Sequence, residues 1–394
     1  MTTDRITAIQ DALRNEGLDG WLLYDFRRSN PLAYRILGLS SEGHVTRRWL
    51  YWVPRDGEPV RIVSALESGR LDGLPGRKVV FRSWRALHDV LAEILPPGGR
   101  VAMEYSPGAA IPVVSRVDAG TVEMIRALGV DVASSADLVQ MFEARLSPEQ
   151  WASHQAASAH LLTARREVAH HMADALRAGA SLTEAGVQAW LADFLTRHGM
   201  VADHGAIVAV NGHASDPHYE PSASHDTPIR RGDVVLIDYW ARLDQPGAIM
   251  ADYTWMYYAG GRVPELAARI FAVAAEARDT AIALVRQRVT AGQAVHGYEV
   301  DDAARGVITA AGYGDYFVHR TGHSIGEDTH GNGANIDNLE TQDQRRLIPR
   351  TLFSIEPGIY LPDVGVRTEV NVYLGDDATV TVTGDPQPAI EPLL

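Results

Sequence analysis

Apolar positions along the first 145 residues alternate between two periods. Ile6, Ile9 and Leu13 recur at the spacing of one helical face, and Gly17 follows as a stop. Trp21-Leu22-Leu23-Tyr24 is a short continuous apolar run, the pattern of a buried strand. Residues 48–53 and 59–64 read as a hairpin around Arg55-Asp56-Gly57-Glu58, where Asp-Gly supplies the turn. Strand-like runs at 79–84 and 100–105 then alternate with helical ones. The pattern predicts a small α/β unit that carries no cluster of metal-ligand or nucleophile type.

A boundary is expected near Arg145-Leu146. Ser147-Pro148-Glu149-Gln150 sets a cap serine, a proline in the first helical position and a glutamine three after the cap, and a long Ala-rich helix should follow to about Arg177. Ser181-Leu182-Thr183-Glu184 repeats the signature and predicts a second helix ending near His198-Gly199. Strand-like runs come next at Ala206–Val210, Val234–Asp238 and Tyr253–Tyr258. The order then recurs: Pro264 opens a long helix, 296–311 suggests another, and strands are expected at Tyr316–His319, Leu352–Glu356 and Val366–Tyr373. Helices followed by strands, twice, predict two halves of like design facing each other across an antiparallel sheet, an α+β fold.

Composition narrows the chemistry. The 394 residues are 46% hydrophobic and 22% charged, enough apolar material for two packed domains. The formal charge of −14 leaves no broad attraction for nucleic acid or for an anionic membrane surface. There is no cysteine, which removes disulfides, sulfur-ligated metals and a thiol nucleophile. No apolar signal core follows the N-terminus and no run approaches the length of a membrane span, so a cytoplasmic enzyme is expected.

Five residues in the second half are hard metal ligands set at or beside apolar strands. Asp238 ends Val234-Val235-Leu236-Ile237; Asp252 precedes Tyr253-Thr254-Trp255; His323 lies in Thr321-Gly322-His323-Ser324-Ile325-Gly326; Glu356 follows Phe353-Ser354-Ile355; Glu369 sits inside Val366-Arg367-Thr368-Glu369-Val370-Asn371-Val372. Each is read as lying where a strand meets a turn. A carboxylate in an apolar strand is costly unless it is paired or metal-bound. One alone is better explained by a salt bridge, but four with a histidine and no matching lysines point to metal. Four carboxylates offer enough oxygens for two divalent ions, and an oxygen-rich set with one imidazole suits manganese, cobalt or iron(II) better than a structural zinc.

The order Asp, Asp, His, Glu, Glu in these contexts resembles the pita-bread metallopeptidases, the family of methionine aminopeptidase, Xaa-Pro aminopeptidase, prolidase and the metal-free creatinase. The resemblance covers nearly the whole chain and is strongest to the proline-specific branch. It implies a creatinase-like N-terminal domain over 1–146 and a pita-bread catalytic domain over 147–394. His218 in Asp216-Pro217-His218-Tyr219, His319 four before His323, His330 seven after it, and Arg367 two before Glu369 all stand where that branch carries such residues. His154, His160, His170 and His171 fit no such pattern and are expected to be structural or solvated.

Carried over residue by residue, the resemblance implies two divalent ions per subunit, manganese first, with cobalt, iron or zinc as alternatives. Asp238 would chelate one ion, His323 with Glu356 the other, and Asp252 and Glu369 would bridge them. His319 or His330 would donate to the developing oxyanion, Glu356 would shuttle the proton, and Thr254 would support a ligand. His218, Tyr219, His319, His330 and Arg367 would contact the substrate, a small peptide with proline second, in a homodimer. An Xaa-Pro bond has no N–H to grip, so a site that holds the carbonyl by metal suits it. The favoured activity is an Xaa-Pro dipeptidase, with an Xaa-Pro aminopeptidase on longer peptides as the alternative. A non-catalytic binding protein would be expected to have lost ligands, and all five are present. A dipeptidase needs a cation for the proline carboxylate. Arg367, Arg27-Arg28 and Arg47-Arg48, the last after Ser40-Ser41-Glu42-Gly43-His44, are the candidates, with Arg47-Arg48 preferred.

Two features depart from the family. Asp238 and Asp252 are farther apart than is usual, with Asp244-Gln245-Pro246-Gly247 as a hairpin extension, and Trp240 stands where glycine is common. Both bear on the substrate pocket rather than on the metals.

Overall fold

Apolar runs become strands and capped segments become helices over most of the chain, which the computed structural model describes for residues 3–40, 42–222 and 226–394. Ser41, in the stretch that precedes Arg47-Arg48, lies outside the described residues. Two compact units result, Met1–Glu143 and Ala144–Leu394.

The first unit runs α1 (Thr3–Asn15), β1 (Gly20–Asp25), α2 (Pro31–Leu37), β2 (Trp49–Pro54), β3 (Val60–Ser64), β4 (Arg77–Phe81), α3 (Trp84–Ile94), β5 (Arg100–Met103), α4 (Ala119–Arg126), β6 (Asp131–Ser134) and α5 (Ala136–Glu143). Its six strands lie in the order β4-β3-β2-β1-β5-β6. The expected hairpin is the antiparallel pair β2–β3. All six residues of β1 are buried, because helices cover both faces of the sheet.

The second unit opens on α6 (Pro148–Ala178) and α7 (Glu184–Arg197), followed by β7 (Met200–Val201), β8 (Ile207–Val210), β9 (Val234–Leu243) and β10 (Ala251–Tyr258). Helices α8 (Glu265–Thr290) and α9 (Gly297–Ala310) lead into β11 (Ser324–Ile325), β12 (Leu352–Ile355), β13 (Gly358–Leu361), β14 (Val364–Arg367), β15 (Val370–Leu374), β16 (Val380–Thr383) and β17 (Glu391–Pro392). Ser147 caps α6 in the expected box with Gln150. In the long strand β9 the two-residue period divides the work. Val235, Ile237, Tyr239 and Ala241 pack under α6 and α7, while Val234 and Leu236 turn to the core built on α8 and α9. Asp238 and Trp240 share that second face, which looks toward the other half.

Four local expectations are corrected. The cap of α7 is Thr183, not Ser181, and Glu184 is the first helical residue, fully buried. Its carboxylate takes the Val210 N–H at 2.8 Å, so it is unavailable for a capping box. Tyr316–His319 is no strand: Arg305 of α9 donates to the Phe317 and His319 carbonyls at 2.9 and 2.8 Å, which replaces strand pairing. The run Val366–Tyr373 breaks at Thr368-Glu369, where Thr368 Oγ1 accepts from Arg278 at 2.7 Å. Asp238 lies within β9 rather than at its end, because Arg242 and Leu243 continue the strand by pairing with β7.

Two sheets meet at Asn371. Its side chain accepts the Asp252 N–H at 3.0 Å and donates to the Asp252 carbonyl at 2.8 Å, tying β15 to β10. Asn371→Ala leaves both buried groups unpaired and should cost about 2–4 kcal/mol in urea unfolding. A loss below about 0.5 kcal/mol would show that this link does not hold the sheets together.

Candidate metal centre

Strand register brings the acids together. In the β9–β10 pair, Asp238 stands opposite Thr254 and Trp240 opposite Asp252, so all four side chains share one face. The β12–β15 ladder ends on Ile355↔Val370, and one further step sets Glu356 opposite Glu369. His323 precedes β11, and its carbonyl accepts the Ser354 N–H at 2.8 Å, which places it beside Glu356. The longer turn after Leu243 lies beyond these pairs and leaves their register intact.

All five line one cavity of about 400 Å³, with His218, His319, His330 and Arg367 in its walls. One ligand atom each from Asp252, His323 and Glu369 lies within 4.8 Å of the others. His323 Nε2 is 3.5 Å from Asp252 Oδ2 and 3.4 Å from Glu356 Oε1. Its Nδ1 is 3.1 Å from the Ser324 carbonyl and must donate there, so the neutral ring turns an Nε2 lone pair toward the carboxylates. Burial lowers the His323 pKa, which favours that neutral form.

Asp238 Oδ1, Asp252 Oδ1 and Glu369 Oε1 are buried with no hydrogen-bond partner. Acceptors facing acceptors in a desolvated pocket is an arrangement that a divalent cation resolves and a hydrogen-bond network does not. The donor set therefore fits metal. Burial raises the carboxyl pKa of Asp252 and of Glu369, and neighbouring acids add to it: Asp238 for the first and Asp252 for the second. Burial also raises Glu356.

A relay holds the acids in place. Arg367 Nη2 pairs with Asp238 Oδ2, and Arg367 Nε donates to Thr254 Oγ1 at 3.0 Å. Thr254 Oγ1 then donates to Glu369 Oε2 at 2.9 Å. Thr254 is thus held between Arg367 and Glu369. Arg367 also reaches the Tyr360 hydroxyl and the Pro217 carbonyl at 3.3 Å, so its guanidinium is committed to the acid cluster. Ser354 Oγ donates to Glu356 Oε1 at 3.0 Å.

The other expected residues divide. His330 stacks edge-on against His323, and its pKa is pushed down to about 3 by His323 first and burial second. His218 is exposed at the cavity wall. His319 has both ring nitrogens engaged: Nδ1 with the Arg320 carbonyl at 2.7 Å and Nε2 with the Tyr360 hydroxyl at 2.6 Å. Tyr219 does not line the cavity. Its hydroxyl donates to Glu184 at 2.6 Å and its ring stacks on His213. Of the N-terminal arginines, Arg28 donates to the Gly43 carbonyl and Arg47 to Thr46 at 3.1–3.2 Å, all inside the first unit. Buried His154 is structural, bonding the Met250 carbonyl and Thr383.

Sequence reasoning missed Arg320, Asp203 and Glu340, which also line the cavity. Arg320 carried a signal, since it lies between His319 and His323. Among the described residues its guanidinium forms no ion pair.

The raised carboxyls set a testable sign. A carboxyl whose pKa is higher in the folded state stabilises fully below about pH 4 and loses that contribution as pH rises through the folded value. In metal-free protein, the melting-temperature difference between Glu369→Gln and wild type should therefore grow in favour of the variant from pH 5 to pH 8. A constant difference would show that Glu369 is not strained.

The model of metallopeptidase family M24 matches residues 154–376. The chain is 35% identical over 209 residues to a probable dipeptidase PepE of Mycobacterium tuberculosis, covering 53% of this chain and 52% of that protein. It is 30% identical over 202 residues to a putative Xaa-Pro aminopeptidase of Mycoplasma pneumoniae, covering 50% and 52%. The matched segment spans about half the length of these relatives. The crystal structure of dipeptidase PepE from Mycobacterium ulcerans superposes with a TM-score of 0.72 at 24% identity, covering 99% of this chain and 97% of that one. A prolidase from Thermococcus sibiricus gives 0.64 at 22% identity, covering 100% and 99%. These structures share the pita-bread fold with its smaller N-terminal domain. With more than half its length matched by the family model, the chain belongs to metallopeptidase family M24.

Proposed function

We propose that the protein is a two-metal peptidase that hydrolyses Xaa-Pro dipeptides, with Asp238, Asp252, His323, Glu356 and Glu369 as its ligands and manganese as its metal. The observation that carries the metal reading is the trio of buried, unpartnered oxygens on Asp238, Asp252 and Glu369, beside the His323 lone pair. When bound, the two ions supply Lewis-acid polarisation of the scissile carbonyl and an activated water.

The chain's own residues do the rest. Arg367 and Thr254 orient Asp238 and Glu369 by charge and by donated hydrogen bonds. Glu356, mostly buried with a raised pKa and steadied by Ser354, is poised to accept a proton and hand it to the departing proline nitrogen. Both nitrogens of His319 are engaged, so the oxyanion donor is His330, a neutral ring with no such commitment. Neutral His319 braces Tyr360, which accepts from Arg367.

The dipeptidase reading rests on Arg320. It stands in the cavity wall within the metal-binding unit, and its guanidinium matches a proline carboxylate. It replaces the N-terminal arginines as the preferred candidate. Relatives named as dipeptidases and as an Xaa-Pro aminopeptidase stand at similar identity, so substrate length needs its own test.

Chelator-stripped protein should be inactive and regain activity with manganese or cobalt, while Asp252→Ala and Glu356→Ala stay folded and inactive. Full activity without metal would sink the reading. Arg320→Met should raise KM for an Xaa-Pro dipeptide by about tenfold or more, and far less for its C-terminal amide. Equal or better cleavage of Xaa-Pro-Yaa tripeptides by the unmutated enzyme would decide for an aminopeptidase.

A further inference from the structure

The cavity holds a second anionic feature outside the ligand set. Asp203 lines the wall, where its Oδ1 accepts from Trp240 Nε1 and both carboxylate oxygens lie 3.4 Å from Thr329 Oγ1. These partners are neutral. His204 approaches Asp203 at 3.7 Å but is itself 68% exposed, and among the described residues no lysine or arginine pairs with Asp203.

Trp240 gives this carboxylate a companion surface. It sits on β9 opposite Asp252, so the indole shares the face of the metal cluster, and its N–H is fixed on Asp203. An aromatic face beside a carboxylate without a countercharge attracts a cation twice, through the ring quadrupole and through the charge. In the binding mode proposed above, with the proline carboxylate on Arg320 and the scissile carbonyl at the acid cluster, the wall of Asp203, Trp240 and Thr329 is assigned to the first residue of the substrate.

We propose that Asp203 and Trp240 form a subsite for a positively charged side chain on the residue before proline, so that lysine or arginine is preferred over an uncharged residue of equal length. This rests on the peptidase reading above for its orientation. A half-exposed ion pair and a cation–π contact together predict a preference of about five- to tenfold, weakening at high salt.

The test compares lysyl-proline with norleucyl-proline on manganese-loaded enzyme, and, independently of cleavage, the binding of L-lysinamide and L-norleucinamide by calorimetry. Both amides carry the α-ammonium, so their ratio isolates the side chain. The lysine compound should win in both assays at low salt, lose most of its advantage in 1 M salt, and lose it in Asp203→Asn, which keeps an acceptor for Trp240 but not the charge. Trp240→Phe should give an intermediate ratio. Equal binding of the two amides by wild type, or a preference unchanged in Asp203→Asn, overturns the subsite even if Xaa-Pro dipeptides are cleaved. An Asp203-dependent preference for lysinamide without any Xaa-Pro cleavage keeps the subsite and overturns the proline reading instead.

Discussion

Like charge confined in a desolvated pocket is the constraint on which the rest of this structure depends. Asp238, Asp252 and Glu369 are buried, Glu356 is nearly so, and Arg367 is the buried guanidinium that faces them. At low dielectric, carboxylates this close cannot all stay ionised without more positive charge. Arg367 satisfies one oxygen of Asp238 and, through Thr254, one of Glu369, which leaves the opposite oxygen of each bare. Hydrogen bonds thus orient the acids without neutralising them. That division keeps the cluster strongly attractive to divalent cations while its geometry is set before they arrive.

Holding such a cluster needs rigid backbone, and strand pairing provides it. Two pairings deliver four acids: β9 with β10, and the end of β12 with β15. Asn371 joins these ladders by bonding both main-chain groups of Asp252, so an acid on one sheet is indexed to a residue two after an acid on the other. Register fixes side chains by twos, which is why the longer β9–β10 turn alters the surroundings of the site and not its ligands.

What could be read in advance follows from this logic. The four acids and the histidine were legible because a hard ligand type in an apolar strand is anomalous by itself, and the resemblance ordered them. The α6 cap was legible because its signals are all local. Tyr219 was misread because adjacency to His218 says nothing about direction: its hydroxyl goes to Glu184, whose burial is decided by Val210, His213 and Tyr219 together. The Ser181 cap failed for the same reason, since a carboxylate engaged in tertiary contacts cannot close a capping box. Tyr316–His319 has strand-like composition, but Arg305, more than ten residues upstream, takes its carbonyls. Arg320 carries no anomaly in the sequence, because an arginine in a polar segment is ordinary until the fold sets it in a cavity wall.

Polarity of the cavity follows from the same electrostatics. A negative cluster at the base of a small pocket repels any substrate carboxylate, so an enzyme for very short peptides must place a cation where that carboxylate comes to rest. The shorter the peptide, the closer that cation must stand to the metals. On the proposed dipeptidase reading Arg320 meets this requirement from the segment that also carries His319 and His323; burial lowers the basicity of both rings, and Arg320 adds to it. Keeping those imidazoles neutral preserves the His323 lone pair for metal and leaves His319 able to accept from Tyr360. If the substrate is the short peptide proposed, one guanidinium adds to the neutrality of the histidine set and receives the substrate carboxylate, so the two demands reinforce each other.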